Sequence, residues 1–373
     1  MFSQKNPSKE TGQEKKESQA LVNKDLTLFS ADLIRTVAIL LIILLHAAAF
    51  PPQIPTEITS QVMYGWITAD VYSALGHMGV PLFVMLSGFF LLDASKADEP
   101  LRVFFRKRFN RVGLPFIFWS IVYFFWNSYV HGATLTFDTA VEAAFSGAYV
   151  HLWFLYLLVG LYLVTPLLRV LVKYLDWKRF KYLIILWFVG TVTVPLIIVL
   201  GGFNFNPVIF VFTGWMGYYL LGVFLQKIRV RKWFLGLAAV LGLTGAVLGA
   251  YVSTALIGER VTAFFHDSLS FNLIIASVSV YLLLTAVSPG KIVGRYGKVN
   301  SALHWIGQNT LPIYLMHYII LESLMFGFFG FTLNAEVLNP IIGIPLLTIV
   351  TFGLTALIVY PLKKVPFVKR LIG

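Results

Sequence analysis

Arg35 and His46 stand at the two ends of an otherwise aliphatic stretch, RTVAILLIILLH. Eleven residues of α-helix turn through about 1100°, or three turns and roughly 20° more, so the two side chains share one face about 16 Å apart along the axis. An ionisable group in such a segment costs roughly 2.5 to 3.5 kcal/mol on membrane-insertion scales and is therefore a functional candidate. A neutral imidazole can act as a general base or as a nucleophile. Asp32, one turn before Arg35, is spaced to pair with it. The plainer readings are a snorkelling interfacial arginine and a packed core histidine.

A second group follows in LRVFFRKRFNRVGLP, where Arg102, Arg106, Lys107, Arg108 and Arg111 fall within ten residues. Guanidinium groups bind phosphate bidentately, and neighbouring ones can clamp a diphosphate. Attraction to anionic lipid is the alternative use of such a loop. The chain has no G-x-x-x-x-G-K-[ST] run, which argues against a P-loop nucleotide machine. His77, His151, His317 and Glu322 fall on the opposite side of the apolar segments from this loop, at the level of His46, with Trp153 beside His151 at the interface. They are candidate binding groups of a shared outer cavity, for which aromatic anchoring and core packing are the competing roles. With no cysteine, the chain has no disulfide, thiolate catalysis or cysteine-ligated zinc or iron-sulfur cluster, and no metal site is expected.

The elements that must position these residues are hydrophobic helices. The 373-residue chain is 58% hydrophobic and 12% charged, with a mean hydropathy of +0.79, and no soluble domain carries that composition on its surface. Windows of about 20 apolar residues predict an all-α polytopic membrane protein of ten transmembrane helices. They run near 29–50, 71–92, 112–130, 151–172, 182–201, 207–226, 233–256, 270–288, 305–326 and 340–362. The net charge of +12 does not point to nucleic acid, because all but three of the 29 Lys and Arg lie in one alternate set of connections. The opposite loops hold only Arg260, so the positive-inside rule places both termini in the cytoplasm. Residues 1–27 are expected to form a disordered cytoplasmic tail, 28–363 the membrane domain and 364–373 a short cytoplasmic tail. TFDTAVEAAFSG predicts a short interfacial helix over an outer cavity, capped by Thr136, with Phe137, Val141, Ala144 and Phe145 on one face. Gly76, Gly79, Ser87 and Gly88 predict close helix approach.

In these stretches the chain resembles the acyltransferase family 3 membrane proteins, and within them the surface-polysaccharide O-acyltransferase branch. ADLIRTVAILLIILLH matches the family's first helix with its Arg and His, and GVPLFVMLSGFFLLD its second. FFRKRFNRVGLPFIFWS carries the R-x-x-R of Arg108 and Arg111, while HLWFLYLLVGLYLVTPLLR and IGQNTLPIYLMH match later helices. The resemblance implies transfer of an acyl group, usually acetyl, from cytoplasmic acyl-CoA to a hydroxyl of a surface glycan or lipid-linked sugar. It makes His46 the catalytic histidine, Arg35 its partner and the basic loop the acyl-CoA site, with acyl-CoA as donor substrate and no bound cofactor. It also implies the plasma membrane of a bacterium or archaeon. The chain ends ten residues after its last predicted helix, so it is expected either to acylate directly or to pass the group to a separate extracytoplasmic transferase. A transporter of polysaccharide or lipid-linked sugar is the competing expectation, with the buried polar groups lining a pathway.

Overall fold

The computed structural model describes residues 12–48, 60–193, 195–197, 214–256, 264–287, 297–334 and 337–373. All regular structure in them is helical. Chain order gives α1 (Gly12–Ala48), α2 (Ser60–Gly76), α3 (Gly79–Leu91), α4 (Leu101–Arg108), α5 (Leu114–His131), α6 (Phe137–Ser146), α7 (Trp153–Tyr174) and α8 (Trp177–Phe188). After these come α9 (Trp215–Phe224), α10 (Lys232–Leu256), α11 (Phe271–Thr285), α12 (Gly297–Gln308), α13 (Thr310–Met325), α14 (Pro340–Leu362) and α15 (Pro366–Ile372).

Among the described residues, seven segments are long and apolar enough to cross a membrane: Thr27–Ala48, Met63–Leu91, Val150–Tyr174, Trp177–Ile197, Lys232–Val252, Phe264–Thr285 and Pro340–Leu362. Each falls on one of the ten expected spans. The other three expectations meet different outcomes. Over 112–130 stands α5, an 18-residue helix rich in Trp and Tyr. The expected 207–226 is represented by α9, and its residues 207–213 lie outside those described. The expected 305–326 is two helices, because Asn309 breaks the run at φ −112°, ψ 19° and Pro312 cannot continue the hydrogen-bond ladder from residue 308. Both terminal segments carry helix. The first helix begins at Gly12, so residues 12–27 are helical where a disordered tail was expected. EKKESQALVNK is made largely of good helix formers, and an apolar helix downstream supplies the nucleus that a short isolated segment lacks. Residues 366–372 form α15, which packs on α5 and buries Ile372.

Helix α1 is the axis of the bundle and touches α2, α3, α11, α12, α13, α14. Its inward positions Ile34, Ala38, Ile39, Ile42 and Ile43 are almost fully buried, at helical spacing. Small residues set the closest approaches, as packing in lipid requires where no hydrophobic effect separates helix from solvent. A Cβ on Gly88 of α3 would lie 1.8 Å from the Tyr219 carbonyl oxygen of α9, and one on Gly222 would lie 2.0 Å from that of Met85. Large apolar side chains such as Ile121, Leu163, Leu167, Val240 and Leu357 face outward, as a lipid-solvated surface demands.

Candidate functional site

Arg35 and His46 lie on one face of α1, as their spacing requires. The lower end is built around Asp32, which is almost fully buried. Arg35 Nη1 donates to Asp32 Oδ1 at 2.8 Å, and the guanidinium lies 5.4 Å from the Phe90 ring centre. The other carboxylate oxygen is 2.8 Å from His304 Nδ1 on α12, a partner the sequence did not suggest. This approach depends on Gly307, where a Cβ would come within 2.4 Å of Asp32 Oδ1.

Arg35 opens onto a cavity of about 390 Å³ that also receives Lys96, Arg108 and Arg111, with Ser87, Gln308 and Tyr162 among its polar walls. Four cations around one cavity make it a site for a polyanion. Arg108 reaches it from the last position of α4, and Arg111 from within the π-helical turn Phe109–Gly113 inserted between α4 and α5. The other members of the basic loop do not line it. Arg102 and Arg106 are exposed, and Lys107 is held by Glu99 at 2.7 Å. Lys96 comes from the loop after α3, and Arg169 anchors that loop. Buried on α7, Arg169 donates to the Leu91 and Lys96 carbonyls and to Glu99 Oε2, with its guanidinium 4.7 Å from the Phe104 ring centre. Hydrogen bonds from Lys107 and then Arg169 hold the Glu99 carboxyl below its usual range.

At its inner end the cavity meets Phe83, Phe154 and Tyr314. Beyond Tyr314 lies a histidine cluster. The ring of His46 is partly accessible and lies 5.4 Å from that of His317, 6.4 Å from His151 and 4.9 Å from Tyr318. The His151 and His317 rings are 5.3 Å apart, and Tyr318 stacks on His151 at 5.1 Å. Tyr314 ties the group together: its hydroxyl donates to the His151 carbonyl, and its own carbonyl accepts from His317 Nδ1 at 2.5 Å. That bond puts the His317 proton on Nδ1 and leaves Nε2 with a free lone pair. His317 Nε2 and both nitrogens of His151 are buried without partners. Among the described residues no group of three or more His, Asp and Glu side chains could hold a metal ion.

Glu322, one turn beyond His317 on α13, is buried at the far end and fully engaged. It accepts from Trp126 Nε1 at 2.6 Å and from the Tyr149 hydroxyl at 2.6 Å, and His131 Nε2 lies 3.2 Å away. Burial, and then the bond to Glu322, pushes the Tyr149 hydroxyl well above its ordinary value, so it stays a donor. Tyr149 in turn packs on Tyr318 at 5.3 Å, which links this network to the histidines. His131, Tyr149 and Trp126 lie at helix ends and in a loop, where residue type alone gives no signal distinguishing them from interfacial anchors. His77 lies outside the cluster. Its ring is parallel to that of His266 at 6.1 Å, Nδ1 bonds the Ser73 carbonyl at 2.8 Å, and His266 pairs with buried Asp70. Trp153 packs on Trp215 at 5.4 Å and does not reach the histidines. The expected interfacial helix is present as α6, with Thr136 and Thr139 forming a reciprocal cap and Phe137 and Phe145 strongly exposed.

Comparison with known proteins gives a family match: the acyltransferase domain family covers residues 28–360. Neither a curated protein nor a solved structure matches the chain.

Proposed function

The chain belongs to acyltransferase family 3, a family of membrane proteins, and from that premise we propose that it moves an acyl group, acetyl in the simplest case, from cytoplasmic acyl-CoA to a hydroxyl of a cell-surface polysaccharide or lipid-linked sugar. The observation that carries this reading is the four-cation cavity whose inner wall, Tyr314, is also the bracket of the His46 cluster. Arg35, Arg108, Arg111 and Lys96 suit the phosphates and polar arm of CoA. A cavity of about 390 Å³ takes the pantetheine arm and leaves the nucleotide at its mouth. Family membership favours transfer chemistry over the transporter expectation.

In the direct route the acceptor oxygen attacks the thioester carbon while His46 takes the hydroxyl proton. The carbon–sulfur bond breaks, and His46 returns the proton to the leaving sulfur. A covalent route is supported by the unpartnered nitrogens beside His46. There His46 displaces CoA, its ring proton leaving with the sulfur, and the acceptor hydroxyl then attacks the acyl-imidazole as His317 Nε2 accepts its proton; the acyl–nitrogen bond breaks and His317 passes that proton to the departing His46 ring. Acyl-CoA supplied without acceptor separates the routes: the covalent one releases one equivalent of CoA and leaves acylated protein.

The deciding experiment is transfer of labelled acetyl from acetyl-CoA by membranes containing the wild type or His46→Ala. The variant is expected to lose about 10² to 10⁴ in rate while remaining folded and inserted. Wild-type turnover in it would remove His46 from the chemistry. Acetyl-CoA is also expected to raise the melting temperature of the purified protein, and the Arg108→Ala, Arg111→Ala double variant is expected to lose that shift.

A further inference from the structure

Helix α13 reads out the route through the molecule. Thr310, Leu311 and Tyr314 line the four-cation cavity, His317 sits in the histidine cluster, Glu322 anchors the polar network, and the chain then leaves the helix as FGFFGF, residues 326–331. Gly327 and Gly330 take positive φ, 77° and 85°, and the tight turns they allow present Phe326, Phe328, Phe329 and Phe331, each about half exposed. This aromatic loop is physically joined to the polar network. Phe328 packs on Trp126 at 6.0 Å, the same tryptophan whose ring nitrogen holds Glu322, and Phe326 lies 6.1 Å from His131, the accessible member of the network.

The charge at this end is equally specific. Residues 132–150, 326–334 and 337–339 contain no lysine or arginine, and their charged groups are Asp138 and Glu142. A phosphate-rich or uronic-acid polymer meets no cation there. A neutral hydroxyl-bearing head beside an apolar tail meets hydrogen-bonding groups and a phenylalanine surface together.

We propose that the acceptor is a membrane-resident amphiphile, a neutral glycosyl head on a lipid tail, whose head enters at His131 and Glu322 while its tail lies against Phe326, Phe328 and Phe331. This rests on the acyltransferase reading and narrows its acceptor from any surface glycan to a lipid-linked one. The acceptor arrives sideways from the bilayer. Its hydroxyl then meets the acyl group from the face opposite the four-cation cavity.

The test uses the full chain in nanodiscs and a photoreactive probe, dodecyl β-N-acetylglucosaminide carrying a diazirine at the end of its tail. Irradiation followed by peptide mass spectrometry is expected to label residues 326–331 and the peptide containing Trp126. Unlabelled dodecyl glycoside is expected to suppress this labelling, and equal concentrations of phosphatidylglycerol or of the methyl glycoside are not. Phe328→Ser combined with Phe331→Ser is expected to weaken that competition about tenfold or more, as loss of two apolar contacts predicts. The same variant is expected to keep its thermal stabilisation by acetyl-CoA, which shows it folded. Equal competition by phosphatidylglycerol would reduce the loop to ordinary lipid contact. Equal competition by the methyl glycoside would make the acceptor water-borne, and absence of saturable labelling would remove the site. Each of these overturns the inference. Failure of acetyl-CoA to stabilise the wild type instead counts against the donor reading.

Discussion

Glu99 shows how a single carboxylate outside the membrane-spanning segments shapes the four-cation cavity. It joins Lys107 to buried Arg169, which in turn fixes the loop that carries Lys96 into the cavity. Its pKa is depressed in the folded state, so the stabilisation it gives is present above the unfolded carboxylate value and disappears as pH falls through the folded one. Backbone amides of residues 92–100 are therefore expected to lose hydrogen-exchange protection as the pH is lowered below the ordinary carboxylate range. Glu99→Gln is expected to show weakened protection already at neutral pH and no further acid transition, and an unchanged acid transition in that variant would assign it elsewhere. Sequence made some of these residues visible and hid others for a physical reason. His46, His317 and Glu322 stand out because an ionisable group in an apolar run is costly and must be accounted for. Lys96, Glu99, His131, Tyr149 and His304 sit where polar residues cost nothing, and only the chain's tertiary path brings them to the site. Arg169 was legible as an arginine at a helix end, but its three bonds across to the loop after α3 were not.

At the scale of elements, hydropathy located the helices and could not see their irregularities. The break at Asn309 and the π turn at Phe109–Gly113 each alter the phase of a helix by a fraction of a turn, and both lie at the donor cavity. A π turn is equivalent to one inserted residue. Deleting Asn110 is therefore expected to restore a regular helix and rotate α4 by about 100° relative to α5. Arg108 then leaves the cavity while Arg111 remains. The expected result is a folded protein whose thermal stabilisation by acetyl-CoA is reduced about as much as in Arg108→Ala, and full retention of the shift would show that the turn does not aim Arg108. The same logic explains why only part of the basic loop lines the cavity. Five cations within ten residues cannot all face one side of a helix, and of these Arg108, just before the turn, and Arg111, within it, reach the cavity.

At the scale of the whole molecule, the charge distribution along the chain predicts its orientation. The absence of cysteine turns that orientation into a direct measurement, because any cysteine introduced is the only one. Ser95→Cys, in the loop beside the donor cavity, is expected to react with an impermeant maleimide only from the cytoplasmic side. Ser146→Cys, at the end of α6, is expected to react only from the outside. Labelling of Ser95→Cys from outside in intact cells would invert the molecule and with it the direction of transfer.

One further consequence belongs to Tyr314. Its ring is at once a wall of the four-cation cavity and a contact of His151 and His317, 5.6 Å from each. Under the proposed transfer from one side of the membrane to the other, the proton gradient must not be short-circuited, and Tyr314 stands with Phe83 and Phe154 between the four-cation cavity and the imidazoles. We predict that its ring acts there as an electrical insulator. Tyr314→Ala reconstituted into liposomes is expected to conduct protons down an imposed pH gradient, read by an entrapped pH dye. Wild-type protein is expected to keep the vesicles tight, and equal leak rates for the two would place the seal elsewhere.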